Sequence, residues 1–115
     1  MLLSVHQLSE TFAAEFLGAD LSQPIDDETF KEILNAFHTY PILVFRGQKI
    51  SSEQHIAFSR RFGDLEIHML KSSLLPGYDE ILVVSNFKEE GPAKGAYSAG
   101  QFWHSDLSYK ECPSL

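Results

Sequence analysis

A chain of 115 residues suffices for one domain or a piece of one, and its 43% hydrophobic and 12% aromatic content excludes a disordered polymer. Sixteen acidic against nine basic residues leave a net charge of −7, which repels phosphate backbones and argues against a nucleic-acid partner. Apolar runs such as 42–45 and 81–84 stop far short of the ~20 residues of a membrane helix, and the N-terminus lacks the basic start and apolar stretch of a secretory leader. With one cysteine, Cys112, there is no internal disulfide, so a soluble protein of the reducing cytoplasm is expected.

The first elements are short. Residues 4–8 alternate as a strand does, and 12–17 read as a second strand ended by Gly18. Asp26 or Asp27 then caps a helix whose apolar stripe is Phe30, Ile33, Leu34, Phe37 and Tyr40. Pro41 stops it, and 42–45 read as a strand buried on both faces. Ser51 and Gln54 form a capping box that opens a second helix. This helix presents His55, Phe58 and Phe62 on one side, and Gly63 ends it in a left-handed turn.

Residues 71–80, with Pro76-Gly77, read as a looser stretch, and 81–85 as another buried strand. Three glycines, a proline and four charges make 87–101 an exposed loop, with Glu89-Glu90 a solvated pair. Residues 102–109 alternate like a strand edge. No internal repeat, low-complexity tract or linker divides the chain.

One pair carries most of the chemical interest. In extended backbone, side chains two apart point the same way, so His104 and Asp106 can offer a nitrogen and an oxygen to one metal ion. Two histidines and a carboxylate on one face of Fe(II) leave room for a cosubstrate and O2 together. The spacing alone is not selective: a chance His-x-Asp turns up in roughly a quarter of chains of this composition. On the spacing alone, a strand-end histidine bonded to a neighbouring aspartate is the better reading. His68 can contact a substrate or sit as a polar loop residue. His55 reads as a half-buried helix histidine and Trp103 as core, while His6 and His38 have no evident partner. Cys112 lacks a neighbouring base to activate it. There is no C-x-x-C, no phosphate-binding G-x-x-x-x-G-K-[ST] and no G-x-S-x-G.

The order of segments says more than any one of them. The chain runs G-A-D-L-S-Q-P at 18–24, I-L-V-F-R-G-Q at 42–48, S-x-E-Q-H at 51–55, R-R-F-G-D-L at 60–65, I-H at 67–68 and W-H-S-D-L-S-Y at 103–109. This succession resembles the N-terminal part of the taurine dioxygenase and 2,4-dichlorophenoxyacetate dioxygenase family (TauD/TfdA), from about Ser4 to Leu115. The resemblance implies a mixed α and β chain, the N-terminal portion of a double-stranded β-helix (jelly-roll) domain with flanking helices. It implies Fe(II) held by His104, Asp106 and a second histidine, with 2-oxoglutarate as cosubstrate bound through an arginine. Both of those residues are expected downstream of Leu115. The implied reaction uses O2, releases succinate and CO2, and hydroxylates a small organic substrate, an anion among the candidates.

His68 matches the family's substrate-contact position. Lys71 and Gly100 stand where taurine dioxygenases have tyrosine and asparagine, which argues against taurine itself. The family domain is more than twice this long, so the chain is expected to be one domain truncated after the His-x-Asp motif. Three readings follow: part of such a dioxygenase, a non-catalytic fragment or interaction module lacking the third ligand, or a small zinc hydrolase. The last lacks any H-E-x-x-H pair. Unpaired strand edges leave homo-oligomer formation open.

Overall fold

The structure is a computed structural model that describes residues 2–86 and 100–115. It forms two compact units, Met1–Gly63 and Asp64–Leu115.

The N-terminal unit is built on strands β1 (Ser4–Gln7), β2 (Ala13–Leu17) and β3 (Ile42–Val44), in sheet order β1-β2-β3. β1 and β2 are antiparallel, with Val5 opposite Phe16. The Ser9 hydroxyl closes their connection by accepting from the backbone N–H of Phe12 and Ala13, both at 3.0 Å. Gly18 follows β2 at φ 90°, where a Cβ would lie 2.6 Å from the Leu2 carbonyl oxygen. Only glycine lets the chain turn there while β1 passes so close.

Helix α1 (Asp27–Thr39) crosses from β2 to the parallel strand β3. Asp26 is its cap, its carboxylate accepting from Thr29 N–H at 2.7 Å. Those contacts hold the Asp26 carboxyl below its usual range, the Thr29 backbone N–H first. Phe16, Ile33 and Ala36 are the buried core, with Leu43, Phe45, Phe58 and Phe62 packed against them. The phenylalanines form a contiguous ring series: Phe16–Phe45 at 5.5 Å, Phe45–Phe58 at 5.8 Å, Phe58–Phe62 at 5.5 Å and Phe62–Phe30 at 5.1 Å. Most of these contacts are edge-to-face, the arrangement that ring quadrupoles favour.

Helix α2 (Ser52–Arg60) opens with the complete Ser51–Gln54 capping box. Gln54 also donates to the Ser22 carbonyl at 2.8 Å, so one side chain both starts the helix and ties down the 18–24 loop. Gln48 does similar work. Its amide accepts from Leu21 N–H at 2.8 Å and donates to the Ala19 carbonyl at 3.0 Å. Arg61 donates to the Ile25 carbonyl and to Asp27, each within 3 Å, and lies 4.5 Å over the Phe30 ring.

Several sequence expectations need correction here. β3 is not buried on both faces: it ends the sheet, and Ile42 is half exposed. His55 is exposed, not half-buried among the phenylalanines. Gly63 sits at φ 148°, a region that glycine enters freely but not a left-handed helical turn.

In the C-terminal unit a single 3-10 turn, Lys71–Ser73, leads into β4 (Leu74–Leu75), which pairs with β5 (Tyr78–Leu82). The stretch read as loose is therefore a hairpin. Its two-residue turn is Pro76-Gly77, with Gly77 at φ 84°, the positive φ that a type II turn demands at its third residue. The buried strand expected at 81–85 is half exposed and begins earlier, at Tyr78. Residues 102–109 form no strand but a bend and a turn. Trp103 is fully exposed, so it is not core. Most of the expected loop at 87–101 lies outside the described residues. The described strands make two small sheets, of three and two strands, in a mixed α and β chain.

Candidate metal centre

The segment from Gly100 carries the His-x-Asp pair on irregular backbone. Gly100 stands at φ 74° beside the His104 ring; a Cβ built there would meet the ring carbon Cε1 at 3.7 Å. His104 Nδ1 is 2.6 Å from the Phe102 carbonyl oxygen. A carbonyl only accepts, so Nδ1 carries the proton. Nε2 then faces Asp106 Oδ1 at 3.0 Å.

This geometry has one chemical consequence. In the neutral ring Nε2 would bring a lone pair against a carboxylate oxygen, which is repulsive. Either a proton or a cation has to lie between them. Accordingly the His104 imidazolium is favoured, and its pKa is raised by the Phe102 carbonyl first and by Asp106 second.

The same two atoms suit a metal ion. Bonds of about 2.1 Å at right angles put neighbouring donors about 3.0 Å apart. The Phe102 carbonyl fixes the ring so that Nε2 is the ligating nitrogen, as such backbone partners do in metal sites. The residues present therefore fit two adjacent positions of a divalent metal. Among the described residues no third histidine, cysteine, aspartate or glutamate joins them.

Asp106 leads directly into turn backbone at 106–109, where Lys110 N–H donates to the Leu107 carbonyl at 2.9 Å and closes the turn 107–110. Leu107 has φ 50°, a left-handed conformation costing a leucine roughly 1–2 kcal/mol. With the bends at 102 and 103, this residue keeps the segment from being a strand.

His68 is not brought to the pair. It is half-buried, and its Nδ1 accepts from Leu70 N–H at 3.1 Å. In the neutral ring its Nε2 is then an N–H donor, suited to an anion. Two residues earlier, Glu66 pairs with Lys110, and Ser114 Oγ donates to it at 3.3 Å. Sequence reasoning does not pick out Glu66, Lys110 or Ser114. Partners so far apart in the chain leave no local pattern, and single surface charges are abundant in a chain of this composition. Cys112, between Lys110 and Ser114, is exposed.

The N-terminal unit holds a cleft of about 420 Å³ lined by Leu21, Pro24, Ile25, Gln54, Phe58 and Arg61. None of the residues singled out for chemistry lines it. No helix among the described residues is long and apolar enough to cross a membrane.

Comparison with known proteins agrees with the segment order. The chain is 39% identical over 95 residues to pentalenolactone F synthase of Streptomyces arenae, covering 81% of this chain and 32% of that protein. It is 32% identical over 121 residues to the alpha-ketoglutarate-dependent 2,4-dichlorophenoxyacetate dioxygenase of Cupriavidus pinatubonensis, covering 96% and 42%. The crystal structure of a putative alpha-ketoglutarate-dependent taurine dioxygenase from Burkholderia xenovorans superposes with a TM-score of 0.64 at 32% identity, over 68% of this chain and 28% of that one. The chain thus spans a third to two-fifths of the length of these curated relatives. Residues 4–115 match the taurine catabolism dioxygenase TauD, TfdA family, and the chain belongs to it.

Proposed function

We propose that this chain supplies the first two metal ligands and part of the substrate wall of a non-haem Fe(II), 2-oxoglutarate-dependent dioxygenase. The observation that carries the reading is the His104–Asp106 pair, its donor atoms 3.0 Å apart and the imidazole oriented from behind by the Phe102 carbonyl. Family membership supports the reaction class, and the names of two relatives supply the alpha-ketoglutarate dependence.

The residues of this chain divide the work. His104 offers Nε2, and Asp106 brings a negative charge that partly neutralises the cation. Fe(II) with 2-oxoglutarate and O2 would supply the oxidising chemistry, one oxygen atom of O2 going to succinate and the other to the hydroxylated product as CO2 is released. His68, as an N–H donor, would contact a small anionic substrate. The remaining histidine and the arginine for 2-oxoglutarate belong to further sequence of the same jelly-roll domain, with residues 1–115 as its N-terminal part. A cytoplasmic setting fits the single cysteine, the acidic charge opposes a nucleic-acid partner, and the short apolar runs speak against a membrane helix. The outer edges of β1 and β3 leave a route to homo-oligomers.

The test uses the chain joined to a relative's C-terminal remainder. His104→Ala and Asp106→Ala should each abolish Fe(II)-dependent succinate release. Turnover retained in either variant overturns the ligand assignment.

The absence of a third donor among the described residues favours a second reading for the 115-residue chain on its own, a non-catalytic or interaction module. Decarboxylation of 2-oxoglutarate by the purified chain would rule that reading out. The zinc hydrolase is disfavoured by the same observation.

A further inference from the structure

The turn that follows Asp106 is strained at Leu107, and strained backbone persists only where its surroundings over-determine it. On its N-terminal side the backbone is fixed by His104 bonding to Phe102. On its C-terminal side the Lys110 side chain, at the end of the turn, pairs with Glu66, and Ser114 donates to the same carboxylate. Glu66 lies two residues before His68. One carboxylate thus grips the metal-ligand segment from behind and joins it to the segment carrying the substrate-side histidine. The Lys110 and Glu66 side chains are each a little over one-third exposed, so the pair is only partly screened by solvent.

We infer that Glu66 is a positioning residue: through Lys110 and Ser114 it holds the 104–114 segment so that His104 and Asp106 stay paired for a metal ion. The inference rests on the metal reading above and adds to it a residue that touches neither metal nor substrate. It predicts that removing the Glu66 charge loosens the segment and weakens metal binding while both ligands remain in place.

Two measurements on the 115-residue chain test it. The first is the mobility of a nitroxide attached to Cys112, between the two Glu66 partners, read from its electron spin resonance line shape. The second, on unlabelled protein, is the manganese(II) concentration that half-broadens the His104 ring proton resonance. Glu66→Gln and Lys110→Met should both sharpen the nitroxide lines. Each should raise the half-broadening concentration by about threefold, within the range of an ion pair near the surface. Exchanging the charges (Glu66→Lys with Lys110→Glu) restores the ion pair, though not the bond from Ser114, and should bring both readings most of the way back, which a merely misfolded variant would not do. Unchanged line shapes or unchanged manganese affinity in Glu66→Gln overturns the inference, as does failure of the exchange to restore them. His104→Ala and Asp106→Ala separate the two claims. If manganese affinity is indifferent to both, the metal reading itself falls. If it depends on them but not on Glu66, only the positioning role is lost.

Discussion

His104 Nε2 lies 3.0 Å from Asp106 Oδ1 on backbone that is not a strand. The pair is held by the Phe102 carbonyl behind the ring and by the turn after Asp106, not by the alternation of a pleated chain. A proton and a metal ion therefore compete for the same gap.

That competition fixes a pH dependence. The His104 pKa is raised above the ordinary imidazole value of about 6.5. A raised folded-state value means the proton-held pairing is fully present below the unfolded value and is lost as pH rises through the folded one. Metal binding runs the other way, because Nε2 must first release its proton. Manganese affinity should climb as pH rises through the raised value and level off above it. Asp106→Asn should lower the His104 titration midpoint, since it removes the charge of the second partner. A midpoint unmoved in Asp106→Asn, followed by the His104 ring proton resonance, would show that the two side chains do not pair in solution.

Local signals were legible in the sequence and long-range ones were not. Asp26 and the Ser51–Gln54 box could be read because a cap and its partner lie three residues apart. The stripe from Phe30 to Phe37 could be read for the same reason. Gln48, Gln54 and Arg61 could not, because the Ala19, Ser22 and Ile25 carbonyls they hold lie 29 or more residues away. The hairpin at Leu74–Leu82 was hidden because Pro76-Gly77 signals a turn without saying that strands flank it. At 102–109 the alternating pattern was real, but the bends at 102 and 103 and one left-handed residue, Leu107, broke the strand it suggested. The proximity of His104 and Asp106 was anticipated from strand geometry and is produced by something else.

Leu107 offers a clean test of stored strain. Glycine takes φ 50° without a Cβ clash, so Leu107→Gly should relieve the turn, although it also frees the unfolded chain and exposes less apolar surface for packing. The net effect on thermal stability should be small, within about 1 kcal/mol either way. Leu107→Val should be destabilising by about 1–3 kcal/mol, because a β-branched side chain is least tolerated there. Thermal unfolding followed by circular dichroism distinguishes them. Equal midpoints for the glycine and valine variants would mean that the left-handed turn is not populated.

Gly100 separates sterics from chemistry at the same site. Its φ of 74° suits asparagine as well as glycine, and a Cβ would meet the His104 ring only at ordinary contact distance. Gly100→Asn should thus leave manganese binding within about twofold of the unchanged chain, whereas Gly100→Val should disturb the ring. Loss of manganese binding in Gly100→Asn would show that the space beside the imidazole is smaller than the backbone indicates.

The N-terminal unit is tested at Gln48. Its side-chain amide holds the Ala19–Leu21 backbone through one accepted and one donated bond and reaches the Arg46 carbonyl at 3.3 Å. Leucine has a similar size but neither donor nor acceptor. Gln48→Leu therefore removes every one of these bonds and leaves half-buried backbone groups to find water. Each bond contributes about 0.5–1.5 kcal/mol net, so a loss of about 1–3 kcal/mol is expected. Gln48→Glu keeps the acceptor for Leu21 N–H but sets a carboxylate against the Ala19 carbonyl, and it should lose part of that stability with a dependence on pH. Both variants should unfold more easily in urea than the unchanged chain. A Gln48→Leu chain as stable as the original would show that the 18–24 loop is held by the burial of Ala19 and Leu21 and not by the amide.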